Sequence, residues 1–151
     1  MRVSVVGCGL ISRNHLRVLK SLKNVEISSV VDIKKDRADA AAKKYGCKAY
    51  YDFEAMLNED KPDCIHICTP HYLHVPMAVA ALEKGINVLC EKPAGVFTKD
   101  VRELNEYVKT QDKTYALMYN QRTNCVYRKM RELVQSGELG EIKRVSWIIT
   151  D

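Results

Sequence analysis

The sequence predicts an α/β fold, a doubly wound parallel sheet with helices on both faces, from three observations. Short apolar runs alternate with amphipathic helical stretches along most of the chain, a pattern that favours parallel strands joined by crossover helices. The connections are short, and Gly46 and Gly85 stand where two of the helices should end. At 151 residues, 46% hydrophobic and 28% charged, the composition is ordinary for a globular protein with one sizeable core.

The stretch from Arg2 to Asp32 organises the rest. Val3, Val5 and Val6 read as a buried strand, Gly7-Cys8-Gly9 as a sharp turn, and Leu10, Ile11, Leu16 and Leu19 as one side of an amphipathic helix. A second apolar run (Val25, Ile27, Val30, Val31) stops on Asp32, twenty residues after Ser12, which fills the slot of the third glycine in a Gly-x-Gly-x-x-Gly turn. In this context the pattern is a dinucleotide fingerprint. Gly7 lets the strand turn into the helix, and Gly9 leaves room for a pyrophosphate to approach the first amides of that helix. The expected cofactor contacts are therefore Gly7, Cys8, Gly9, Leu10 and Ile11, with Asp32 accepting the hydroxyl protons of the adenosine ribose. A carboxylate there favours NAD by repelling a 2′-phosphate; the neighbouring Lys34 and Lys35 soften that repulsion, so NADP stays open.

After Asp32, residues 34–44 form a polar helix with Ala38, Ala41 and Ala42 on its inner side, followed by a strand over 48–51 and a small helix capped by Asp52. A fourth strand over 64–68 leads into Thr69-Pro70-His71-Tyr72-Leu73-His74 and a helix over 75–84. A fifth strand, 86–90, runs straight into Glu91-Lys92-Pro93. A helix over 98–110, with Thr98 as its cap, precedes a sixth strand over 114–119 and the exit Asn120-Gln121-Arg122. Ligands of open α/β sheets sit beyond the carboxyl ends of the strands, so these exits should share one crevice with Gly9. Lys92, at a strand edge beside a carboxylate and followed by proline, is placed to touch whatever occupies it. On spacing alone His74 reads as a structural residue of the next helix's start.

The net charge of +5 is spread over helix faces, without a basic run or interleaved aromatics, so nucleic acid is not implied. No apolar run approaches the twenty residues of a membrane span, and the amino terminus reads as a core strand without signal-peptide character; a cytoplasmic protein is expected. Cys8, Cys47, Cys64, Cys68, Cys90 and Cys125 contain no CxxC pair and read as small core hydrophobes in a reducing compartment, with no metal site expected. Two other classes share part of the pattern: a stand-alone NAD(H)-sensing regulatory module and a methyltransferase using S-adenosylmethionine. The first gives no reason for Glu91-Lys92-Pro93, and the paired glycines suit a pyrophosphate better than the amino acid moiety of the second.

Taken together, Gly7-Cys8-Gly9 with His15, Asp32, Thr69-Pro70 with His74, Glu91-Lys92-Pro93, and Asn120 with Arg122 resemble the Gfo/Idh/MocA family of nicotinamide-dependent oxidoreductases. The resemblance implies a Rossmann NAD(P)-binding domain over residues 1–122, a crossover helix and turn over 123–140, and at 141–151 the first strand of a truncated second α/β domain. It implies hydride transfer between the nicotinamide and a secondary alcohol of a sugar, cyclitol or related polyol. Lys92 would be the catalytic residue, with Thr69, Pro70, His74, Glu91 and Asn120 lining the nicotinamide side. The second domain would supply a general base and much of the oligomer interface, so a homo-oligomer is expected of the full-length form and little catalysis of this chain alone. Without a sheet to join, Ile142, Val145, Trp147 and Ile149 should be disordered, repacked or used in association.

Overall fold

The computed structural model describes residues 1–148. It divides into two compact units, Met1–Met118 and a second beginning at Tyr119.

The first unit is built on six strands: β1 (Arg2–Val6), β2 (Glu26–Val31), β3 (Lys48–Tyr50), β4 (Cys64–Ile67), β5 (Asn87–Cys90) and β6 (Tyr115–Leu117). They are all parallel, in the order β3-β2-β1-β4-β5-β6. The order therefore reverses between β1 and β4, where a ligand crevice of this architecture opens. Valines and isoleucines supply both faces, as parallel strands covered on each side require. On one face Val3, Val5, Ile27 and Val30 pack with Leu16 and Leu19 of α1 (Ser12–Ser21) and Ala42 of α2 (Lys35–Tyr45). On the other, Val6, Ile65 and Val88 pack with Met56 of α3 (Phe53–Glu59), Leu82 of α4 (His74–Glu83) and Leu104 of α5 (Thr98–Val108).

Helix boundaries follow local chemistry, each close to where the sequence placed it. Asp52 caps α3, its carboxylate accepting the Ala55 amide at 2.7 Å, and Gly46 ends α2 in the left-handed conformation at φ 71°. Thr98, expected as a cap, is instead the first residue of α5, whose cap position is Phe97 with no side-chain bond. Helix α4 starts one residue early, at His74.

A register shift between Val3 and Ser4 puts one extra residue into β2. That bulge turns two consecutive serines, Ser28 and Ser29, toward the Asp60 carboxylate, which also accepts from Ser4. Arg2 closes the cluster with an ion pair to the other carboxylate oxygen.

In the second unit a single 3-10 turn, Asn120–Thr123, precedes α6 (Cys125–Gln135). Asn124 caps α6 by accepting the Val126 amide at 2.9 Å, and no residue of this strongly amphipathic helix is buried. Residues 141–148 form no strand in this chain; among the described residues no neighbour pairs with them, and a strand without a ladder partner gains nothing for its ordered backbone. Trp147 stacks on Tyr127 at 5.5 Å instead. Ile149 and the two residues after it lie outside the described residues. Among the described residues no helix is long and apolar enough to cross a membrane.

Candidate functional site

The parallel register aligns the carboxyl ends of the strands. Val6 stands opposite Val31 and Ile67, Ile67 opposite Cys90, and Cys90 opposite Leu117. The residues one step further, Gly7, Asp32, Cys68, Glu91 and Met118, consequently form a row along one sheet edge. Their amides continue the ladder: Gly7 to the Val31 carbonyl at 2.7 Å, Cys68 to Val6 at 2.7 Å and Glu91 to Ile67 at 2.9 Å.

The two glycines of the turn are held to different standards. Gly7 has φ +91°, and a Cβ on it would lie 2.7 Å from the Cys68 carbonyl oxygen, so the fold itself requires glycine. Gly9 has nothing within 4 Å of its Cβ position. The free space lies at the amino end of α1, which has no side-chain cap and no acid in its first turn. Uncapped amides and the positive end of the helix dipole favour an anion there. Leu10 and Ile11, at this end, are exposed. Ser12 is buried and donates its hydroxyl to the Gly9 carbonyl at 2.7 Å, filling the third glycine's slot by a local bond.

Asp32 is fixed by two amides. One carboxylate oxygen accepts the Cys8 N–H and the other the Lys34 N–H, both at 2.8 Å. Each oxygen keeps a further acceptor site for a ligand hydroxyl. Burial, reinforced by the Asp32 carboxylate, pushes the Cys8 thiol up to about 12, so Cys8 adds no charge to the turn. Burial likewise raises the Cys64 thiol to about 11 and the Cys90 thiol to about 12, which makes them core residues of low reactivity. Among the described residues no three His, Cys, Asp or Glu side chains converge as a metal would need.

Across the switch in strand order, the β4 and β5 exits are tied together. His74 is fully buried, with Nδ1 2.7 Å from the Pro93 carbonyl oxygen and Nε2 2.9 Å from that of Thr69. It is a tether between the two loops, and Thr69, half-buried, and Pro70, exposed, form their surface. The Lys92–Pro93 peptide is cis and Lys92 is exposed. Glu91 is buried; one oxygen accepts the Lys92 amide at 3.2 Å and the other lies 2.8 Å from His15 Nε2. His15 Nδ1 in turn lies 3.0 Å from His66 Nδ1. Burial first, then the neighbouring His15, lowers the His66 pKa to about 4, which keeps that ring neutral near pH 7. His66 falls inside the fourth strand expected over 64–68, where the sequence gives no sign of its role; its partner lies 51 residues away. Asn120 is exposed at the start of the 3-10 turn in the second unit.

A parallel sheet with this strand order, a glycine turn opening onto an uncapped helix, and an acid at the end of β2 define a dinucleotide-binding Rossmann domain. Residues 1–119 match the family model of Gfo/Idh/MocA oxidoreductases, described as an NAD-binding Rossmann fold, and the chain belongs to that family. It is 32% identical over 144 residues to the D-glucoside 3-dehydrogenase of Escherichia coli strain K12, covering 94% of this chain and 41% of that protein. It is 32% identical over 145 residues to the inositol 2-dehydrogenase of Corynebacterium glutamicum strain R, covering 94% and 43%. The structure superposes with a TM-score of 0.88 at 26% identity on the WlbA dehydrogenase of Chromobacterium violaceum in complex with NADH and UDP-GlcNAcA, covering 93% of this chain and 41% of that one. The chain thus spans about two fifths of the length of these relatives.

Proposed function

We propose that this chain is the cofactor-binding part of an NAD-dependent dehydrogenase that oxidises a secondary alcohol of a sugar, cyclitol or related polyol. The observation that carries the reading is the row of Gly7, Asp32 and Glu91 along one sheet edge, with free space over Gly9 at an uncapped helix. The first amides of α1 would hold the pyrophosphate, and Asp32 the adenosine ribose. When bound, the nicotinamide supplies the hydride acceptor. Lys92, presented from the β5 exit, would donate a hydrogen bond to the substrate oxygen and favour its loss of a proton; Thr69 and Pro70 would form the wall beside it, held by His74. Asn120 would be a further cofactor contact, and residues beyond this chain would complete the substrate pocket and the contacts of a homo-oligomer. Relatives named as sugar and inositol dehydrogenases support this over nucleotide sensing or methyl transfer.

Two outcomes test it. Asp32→Ala should weaken NADH binding about tenfold or more, the worth of hydrogen bonds to a charged group. Calorimetric titration of the chain reads this directly, and unchanged affinity would remove Asp32 from the ribose site. The parent chain should also bind NADH more tightly than NADPH. In the complete polypeptide, Lys92→Ala should lower turnover about a hundredfold or more and NADH affinity far less. A fully active variant would exclude Lys92 from the reaction.

A further inference from the structure

Helix α1 and the β5 exit approach the crevice from opposite sides of the switch in strand order, and a buried chain of side chains connects them. His15, 6% exposed on the inner face of α1, reaches Glu91 on β5's exit with Nε2 and His66 on β4 with Nδ1. The far oxygen of Glu91 accepts the Lys92 amide. An ionised carboxylate only accepts, so Nε2 of His15 carries a proton toward Glu91. Two arrangements satisfy the histidine pair: a neutral His15 accepting the His66 Nδ1 proton, or an imidazolium at His15 donating to it. In either one, His66 fixes the His15 ring, because turning it over would leave the buried Glu91 carboxylate and the half-buried His66 nitrogen without this partner. The thiols of Cys64 on β4, of Cys68 at the β4 exit and of Cys8 at the β1 exit border this region, all pushed upward by burial, and add no charge.

We infer that His15 is a positioning residue: clamped by His66, it holds Glu91, and through Glu91 the Lys92 peptide, in fixed relation to the amino end of α1. This rests on the reading above, in which α1 meets the phosphates and Lys92 the reactive end of the cofactor. A ligand spanning both ends feels the spacing between them, whereas a ligand confined to the α1 end does not.

NADH and ADP are the probes, titrated into the parent chain, His15→Leu, His66→Leu and His15→Gln. Gln places an amide N–H near the position of imidazole Nε2 and keeps the bond to Glu91. His15→Leu and His66→Leu should lose NADH affinity about tenfold, as outer partners of a site do, while ADP affinity stays unchanged; His15→Gln should recover most of the NADH loss. In nuclear magnetic resonance spectra of the unliganded chains, the Lys92 amide signal should move in His15→Leu and hold in His15→Gln. Parallel loss of ADP and NADH binding with a lower unfolding temperature would reduce His15 to a packing residue and overturn the inference. So would unchanged NADH affinity, or an unmoved Lys92 signal. If the parent binds neither probe, the cofactor reading has failed, and the Lys92 signal alone decides the positioning role.

Discussion

Gly7→Ala is expected to destabilise the first unit severely, while Gly9→Ala, two residues away, is expected to fold as the parent does and lose NADH. At Gly7 a side chain meets two penalties. A φ of +91° is a conformation that non-glycine residues hold at a cost of roughly 1–3 kcal/mol. The new Cβ would also stand 2.7 Å from the carbonyl oxygen and 2.8 Å from the carbonyl carbon of Cys68. Those atoms are backbone of the neighbouring central strand's exit, where the Cys68 amide bonds the Val6 carbonyl at 2.7 Å, so relief means breaking the ladder at its centre. The combined loss, on the order of 4 kcal/mol or more, is a large part of the roughly 5–15 kcal/mol that stabilises a domain. At Gly9 the Cβ would enter open space, and φ lies outside the left-handed region. Only a ligand packed on the backbone would feel it, with an expected loss of about a hundredfold in NADH affinity for a methyl group placed against the pyrophosphate. Thermal melts by circular dichroism and NADH titration of the two variants check the pair. If Gly9→Ala binds NADH as the parent does, the phosphates do not pass over Gly9.

That contrast also marks how far the sequence could be read. The strand-turn-helix stretch, Asp32 and the aligned exits were legible because each rests on local chemistry: the φ that Gly7 needs, the alternation of apolar runs, the caps at Asp52 and Gly46. The tethers were not. His15 and Glu91 are 76 residues apart and His15 and His66 are 51, and their meeting depends on strand order and on which face of β4 looks toward α1, quantities that no local spacing encodes. His74 shows the division within one residue: its place at the start of α4 could be read from the pattern, but its bond to the Pro93 carbonyl could not. Residues 141–148 depend on a partner in another way. The apolar pattern of Ile142, Val145 and Trp147 fits a strand, but strand structure is completed by a neighbour's hydrogen bonds, and none among the described residues supplies them. Ser28 and Ser29 escaped because a bulge, which breaks the two-residue period, is what aims both at one carboxylate.

The second large effect falls on that carboxylate. Asp60→Ala is expected to destabilise the first unit by about 3–5 kcal/mol near neutral pH, the usual result of removing one member of a buried charged cluster. Asp60 is 9% exposed, and one of its oxygens accepts the hydroxyls of Ser4, Ser28 and Ser29 at 2.8, 2.7 and 2.8 Å. The Arg2 guanidinium pairs with the other oxygen and also donates to the Asp60 carbonyl at 2.8 Å. Alanine leaves buried serines in β1 and β2 competing for one another, at the strand pair that carries the Gly7 turn and Asp32. Burial by itself would raise the pKa of this carboxyl, but the three serines and Arg2 outweigh it and hold the value below the ordinary aspartate range. A pKa lowered by folding means that the unfolded chain binds the proton first on acidification. The stabilisation is therefore complete above the ordinary aspartate range and is lost as pH falls through the lowered folded value. Urea unfolding of the parent and of Asp60→Ala should show a wide gap at about pH 7 that narrows by about pH 3. A gap of constant width would mean that the side chain acts by packing, without its charge. Ser4→Ala should lose only about 1 kcal/mol, because two hydroxyls and Arg2 still hold the carboxylate.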